Sequence, residues 1–141
     1  MIIAIFSICA VLAVFAGYLF FAYRKMKNIP IGPESTRIKN LTDKNFSNQI
    51  KNGISLVDFW ASWCMPCKMM IPVLNDVAEE MGDHAAICKV NIEEYQFIAQ
   101  NYSVRNIPTM VIFKNGKEVD RVVGVKSKDF IINKLNMLKY K

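Results

Sequence analysis

The chain has 141 residues, 52% of them apolar and 21% charged, with four cysteines and a net charge of +6. Its first 23 residues carry no Asp, Glu, Lys or Arg, which leaves about 100 to 118 for one folded domain, enough for a core without structural metals or disulfides. The basic excess is local, with Arg24, Lys25, Lys27, Arg37 and Lys39 against Glu34 alone in residues 24–39, and no basic-aromatic interleaving marks a nucleic-acid surface.

Residues 1–23 form an apolar run that, as a helix rising 1.5 Å per residue, would cross a hydrocarbon core of about 30 Å. Tyr18, Tyr23, Arg24 and Lys25 stand where interfacial anchors would. No basic stretch precedes the run, and it exceeds the roughly 7–15-residue apolar core of a signal peptide. The sequence therefore predicts an uncleaved single-pass anchor in a lipid bilayer. The positive charge that follows it places the remaining chain in the cytoplasm, with an extracytoplasmic placement as the alternative. Residues 24–37, with Pro30, Gly32, Pro33, Ser35 and Thr36, read as a basic juxtamembrane linker, and residues 38–141 as the folded domain.

Within that domain Thr42 reads as the cap of a helix over residues 43–51, with Phe46 and Ile50 on one face and Gly53 at its end. Residues 54–60 make a buried strand. A helix from Cys64 runs to Met81 and stops at Gly82, kinked at Pro72. Residues 85–91 read as a second central strand and 93–102 as a helix. Two strands, 109–113 and 118–123, flank the turn dipeptide Asn115-Gly116 as a hairpin. Ser127 or Asp129 starts a closing amphipathic helix through Leu138. Strands alternating with helices, then an antiparallel hairpin, give an α/β layer sandwich.

Cys64 and Cys67, two residues apart at the start of a helix behind a buried strand, can cycle between dithiol and disulfide. The helix amides stabilise a thiolate on Cys64, which would attack a disulfide and form a mixed disulfide that Cys67 resolves. A permanent bridge over so short a ring would add little stability. Cys64, Cys67, His84 and Cys88 also make a possible zinc count. Against zinc, Cys88 falls within a strand, and Cys64 opens a long helix instead of a tight knuckle. No metal is expected. Asp58 lies amid an apolar strand six residues before Cys64, where a carboxylate is costly without a partner or a task.

The stretch Val57-Asp58-Phe59-Trp60-Ala61-Ser62-Trp63-Cys64-Met65-Pro66-Cys67-Lys68 closely resembles the active-site segment of thioredoxins. Lys89 within residues 87–92 resembles that family's third strand, and Asn106-Ile107-Pro108-Thr109 its cis-proline loop. Residues 113–117 resemble its final hairpin, and Gly124 the glycine before its last helix, so that the likeness spans roughly residues 37–141. The resemblance implies a thioredoxin fold, a mixed central sheet flanked by helices, here preceded by a single N-terminal transmembrane helix. It implies a protein disulfide reductase with no bound cofactor. Its partners would be disulfide-containing proteins and, as electron donor, a thioredoxin reductase or a transmembrane protein.

By the same resemblance Asp58 is the buried acid that moves protons to and from Cys67, with Lys89 beside it. Trp63, Met65, Pro66, Ile107, Pro108, Thr109 and Gly124 border the substrate groove, where the backbone before Pro108 can pair with an extended segment. The chain departs from the family at Met65, usually glycine. Pro66 matches reducing members, whereas oxidising and isomerising relatives place histidine there. Two other readings are an extracytoplasmic thiol reductase for cytochrome c maturation or disulfide correction, and a non-redox binding module on the same fold.

Overall fold

The computed structural model describes residues 11–21, 24 and 32–139. The chain divides into two compact units, Met1–Ile31 and Gly32–Lys141. In the first, residues 11–21 form helix α1, with Val11, Leu12, Val14, Phe15, Tyr18, Leu19, Phe20 and Phe21 exposed. The expected transmembrane helix is corrected here. Among the described residues no helix is long and apolar enough to cross a membrane, and residues 1–10 and 22–23 of the expected span lie outside them.

The second unit carries the fold. Its elements are β1 (Lys39–Asn40), α2 (Phe46–Ile50), β2 (Ile54–Trp60), α3 (Met65–Met81), β3 (Ala86–Asn91), α4 (Gln96–Asn101), β4 (Thr109–Lys114), β5 (Lys117–Val123) and α5 (Lys128–Lys139). The sheet runs in the order β1-β3-β2-β4-β5. β1 and β2 flank β3 in parallel, while β4 is antiparallel to β2 and β5 to β4. The short β1 has no hydrophobic pattern of its own. Its pairing with Cys88 and Lys89 of β3 is what makes it a strand.

Alternation along the strands divides the core in two. Leu56, Ile87, Met110 and Ile112 face the apolar sides of α3 and α5, supplied by Met70, Leu74, Val77, Ile131 and Leu135. Val57, Phe59, Val90, Val111 and Phe113 point the other way, onto Phe46 and Ile50 of α2 and Ile98 and Ala99 of α4. Phe59 and Phe113 are fully buried, and each such side chain contributes about 1.5–3 kcal/mol. Phe46, Tyr102 and Phe113 pack their rings at centroid distances of 5.1–5.9 Å, which fixes α2 and the end of α4 over this face.

Two helices start later than the sequence predicts, for the same reason. Asn45 Oδ1 accepts from the Thr42 N–H at 2.7 Å and Thr42 Oγ1 from the Lys44 N–H at 3.3 Å, folding residues 42–45 into a turn ahead of α2. Asn91 Oδ1 accepts from the Glu93 N–H and Asn91 Nδ2 donates to Glu94, both at 3.0 Å, so a turn also precedes α4. Ser127 Oγ accepts from the Phe130 N–H at 3.3 Å at the start of α5.

Asn115 and Gly116 both take positive φ, 50° and 81°, which matches the right-handed twist of the strands they join. The Gly116 N–H reaches Ile50 O at 2.8 Å and the Asn115 N–H reaches Gly53 O at 2.9 Å, tying the hairpin tip to the end of α2. Gly116→Ala should therefore cost about 1–2 kcal/mol through the strained left-handed backbone. Urea unfolding would read this as a lower midpoint at an unchanged slope, and a wild-type midpoint would refute it.

Candidate active site

β2 ends at Trp60, and residues 61–63 turn the chain into α3. Cys64 is the cap of that helix, with extended backbone angles of φ −80° and ψ 102°. Its Sγ accepts from the Cys67 N–H at 3.1 Å, and its carbonyl accepts from the Lys68 N–H at 3.2 Å. The first N–H groups of a helix lack intrahelical partners and gather partial positive charge, so the sulfur at this cap is held where a thiolate is favoured. Pro66 sits in the first turn, where a missing N–H breaks no hydrogen bond. Cys64 and Cys67 are joined by a disulfide with their Cα atoms 5.3 Å apart. Both pack with Ala61 against Trp60, Ile92 and Ile107.

Trp63, Met65 and Pro66 are exposed beside this buried pair, and Met69 follows one turn on from Met65. The Ile107–Pro108 peptide is cis. Thr109 is buried and its hydroxyl donates to Asn106 O at 2.6 Å, while the Gly124 N–H donates to Pro108 O at 2.8 Å. Ile107, Pro108, Thr109 and Gly124 thus form one hydrogen-bonded border beside the dithiol. Gly124 has a φ of 82°, which favours glycine, and among the described residues no atom beyond its chain neighbours lies within 4 Å of where a Cβ would stand. The ground above it is open.

Asp58 and Lys89 lie opposite each other in the β2–β3 register, on the sheet face that α3 covers. Both are buried, at 1% and 5% exposure. They do not form an ion pair with each other among the contacts of the described residues. Lys89 Nζ instead pairs with Glu34 and lies 4.6 Å from the centroid of the Trp60 ring. Asp58 Oδ1 and Trp60 Nε1 are buried with no hydrogen-bond partner among the described residues. Burial pushes the Asp58 carboxyl up from an ordinary 3.8 to about 7, against the pull of Lys89 and with the help of Glu34. A carboxyl in that range can both take and return a proton near neutrality.

The arrangement is therefore a disulfide at a helix cap, a buried acid on the strand leading to it, and a cis-proline loop beside it. The chain matches the thioredoxin family over residues 37–137. It belongs to the thioredoxin family. It is 46% identical to a thioredoxin of Chlamydia pneumoniae over 99 residues, covering 70% of this chain and 96% of that relative. It is 45% identical over 92 residues to a thioredoxin of Staphylococcus saprophyticus, covering 65% of this chain and 88% of the relative. A solved mutant thioredoxin from Halobacterium salinarum NRC-1 superposes with a TM-score of 0.67 at 32% identity, over 75% of this chain and 95% of the other. The Cys64–Cys67 pair is thus the redox centre of a thiol-disulfide oxidoreductase, and its partners are proteins bearing disulfides.

Three contacts of this thioredoxin site have no simple pattern in the sequence. Ile92, just past β3, packs on the dithiol. Glu93, which reads as a solvated charge, accepts from the Ser62 N–H at 2.7 Å and so ties the loop after β3 to the loop before Cys64. That bond holds its carboxyl below the usual range. Glu34, in the stretch read as linker, reaches Lys89. The residues weighed for zinc lie apart: Cys88 is buried beneath α2 and α4, where burial pushes its thiol up to about 12, and His84 is exposed in the turn before β3. Among the described residues no three His, Cys, Asp or Glu side chains gather as metal ligands.

The raised Asp58 value makes stability depend on pH with a definite sign. Below 3.8 both folded and unfolded chains hold the proton; between 3.8 and about 7 only the folded chain does, so stability falls as pH rises through this window. The loss by pH 8 is about 4 kcal/mol. Asp58→Asn removes this dependence. Its stability relative to wild type should rise by about 2–4 kcal/mol between pH 4 and pH 8, and a difference that is flat with pH in urea titrations would refute the assignment.

Proposed function

We propose that this thioredoxin-family chain reduces disulfides on protein substrates, with Cys64 as nucleophile, Cys67 as resolving thiol and Asp58 as the proton carrier between turnovers. The observation that carries the reading is the placement of Cys64 Sγ at the cap of α3, accepting from the Cys67 N–H, with Pro66 and not histidine in the first turn. Without an imidazolium beside it the reduced pair is less stabilised, which supports a donor of electrons over an acceptor.

The Cys64 thiolate attacks one sulfur of the substrate disulfide, and the departing substrate thiolate takes a proton from solvent. The Asp58 carboxylate removes the Cys67 proton. The freed Cys67 sulfur attacks Cys64 Sγ, the bond from Cys64 to the substrate breaks, and the second substrate thiolate leaves. Two electrons pass to the substrate and the Cys64–Cys67 disulfide remains. Lys89 assists by its charge near Asp58. Trp63, Met65, Ile107, Pro108, Thr109 and Gly124 border the groove, and the backbone at Ile107 pairs with an extended stretch of substrate. A thioredoxin reductase restores the dithiol.

Reduction of insulin by dithiothreitol tests the reading. The chain should accelerate it, Cys64→Ser should fall to the uncatalysed rate, and Cys67→Ser, pre-reduced and mixed with insulin without dithiothreitol, should stop after one attack as a mixed disulfide visible by mass. Full activity of Cys64→Ser would overturn the proposal.

A further inference from the structure

The segment just ahead of β1 is bolted to α3. Asn75 Oδ1 accepts from the Ser35 N–H at 2.8 Å, and Asn75 Nδ2 donates to Pro33 O at 3.0 Å. Ser35 Oγ donates to Glu79 at 2.6 Å, and Arg37 pairs with the same carboxylate at 3.3 Å. The residues on both sides of Glu34 are thereby fixed to one helix, and Glu34 is turned inward to Lys89 with a side chain 31% exposed. Lys89 is the direct neighbour of Asp58 across the strands, yet its ammonium is held by Glu34 and the Trp60 ring while Asp58 Oδ1 has no partner among the described residues. Glu34 lies ahead of the residues that match the family, which begin at residue 37.

We infer that Glu34 is a positioning residue for the proton step: by holding Lys89 Nζ it keeps that ammonium from pairing with Asp58, and so sets how readily Asp58 takes and returns the Cys67 proton. The inference rests on the proton role proposed for Asp58. A carboxyl beside an unopposed ammonium ionises more readily, and its carboxylate would then take the Cys67 proton too reluctantly. The direction agrees with the charges present, since Lys89 draws the Asp58 carboxyl down and Glu34 pushes it back up. Among the described residues, Lys89 and Glu34 are the charged groups that act on Asp58. Met110 of β4 is directly opposite, and α3 covers the face with Cys67, Met70 and Leu74 as buried residues.

The test is carbon-13 NMR titration of the Asp58 carboxyl in the oxidised full-length chain, assigned with Asp58→Asn, alongside the pH profile of kcat/KM for insulin reduction. Glu34→Gln removes the charge at a partly exposed position with little change of shape. It should lower the Asp58 midpoint by about half a pH unit or more, about threefold in acid constant, and move the matching limb of the rate profile the same way. Lys89→Met should raise the midpoint, and Glu34→Gln should then move it little. An unmoved carboxyl midpoint in Glu34→Gln would overturn this inference alone and leave the reductase standing. A moved midpoint with an unmoved rate limb would overturn the proton role of Asp58 and, with it, the part given to Glu34.

Discussion

The parallel pairing of β2 with β3 sets Asp58 beside Lys89 on the face beneath α3, and two residues further it aligns Trp60 with Asn91. From those ends the chain continues into the Cys64 cap on one side and the Ile92-Glu93 turn on the other, which meet again through the Glu93–Ser62 hydrogen bond. A slip of one residue in this pairing would turn every side chain of β2 to the other face and move Asp58 out from under α3. The redox pair, its acid and its supporting loop are therefore all consequences of one register.

That register carries a cost which the rest of the domain offsets. Burying a carboxylate with an unsatisfied oxygen, next to a buried lysine, is unfavourable by several kcal/mol in an otherwise apolar layer. Leu56 and Met110 beside it, and Met70, Leu74 and Leu135 above it, are completely buried and supply hydrophobic stabilisation around the defect. Local consistency fails at the residue proposed to carry the proton.

Much of this was readable from residues alone. The run of residues 54–60 is too apolar and too short for anything but a buried strand, Gly82 and Asn115-Gly116 punctuate the chain by backbone preference, and Asp58 announces itself as the single charge in an apolar strand. β1 was not readable, because two polar residues become a strand only by pairing with β3. The late starts of α2 and α4 were hidden because Asn45 and Asn91 bond to nearby backbone in place of extending a helix. The N-terminal segment shows the opposite error: its composition satisfies the length rule for a membrane helix, while among the described residues no helix is long and apolar enough to cross a membrane. Glu34 was invisible for a third reason. Its partner is 55 positions away, and neither residue signals the other in sequence.

The attachment of residues 33–35 to Asn75 and Glu79 bears on how this domain is compared with its relatives. A protein trimmed to the family-matching residues 37–137 would keep the sheet, the dithiol and the cis-proline loop, yet lose the carboxylate that faces Lys89. Properties measured on such a fragment, or carried over from shorter relatives, would then describe an acid with a different neighbour. The working boundary of the catalytic unit lies upstream of the boundary of sequence likeness.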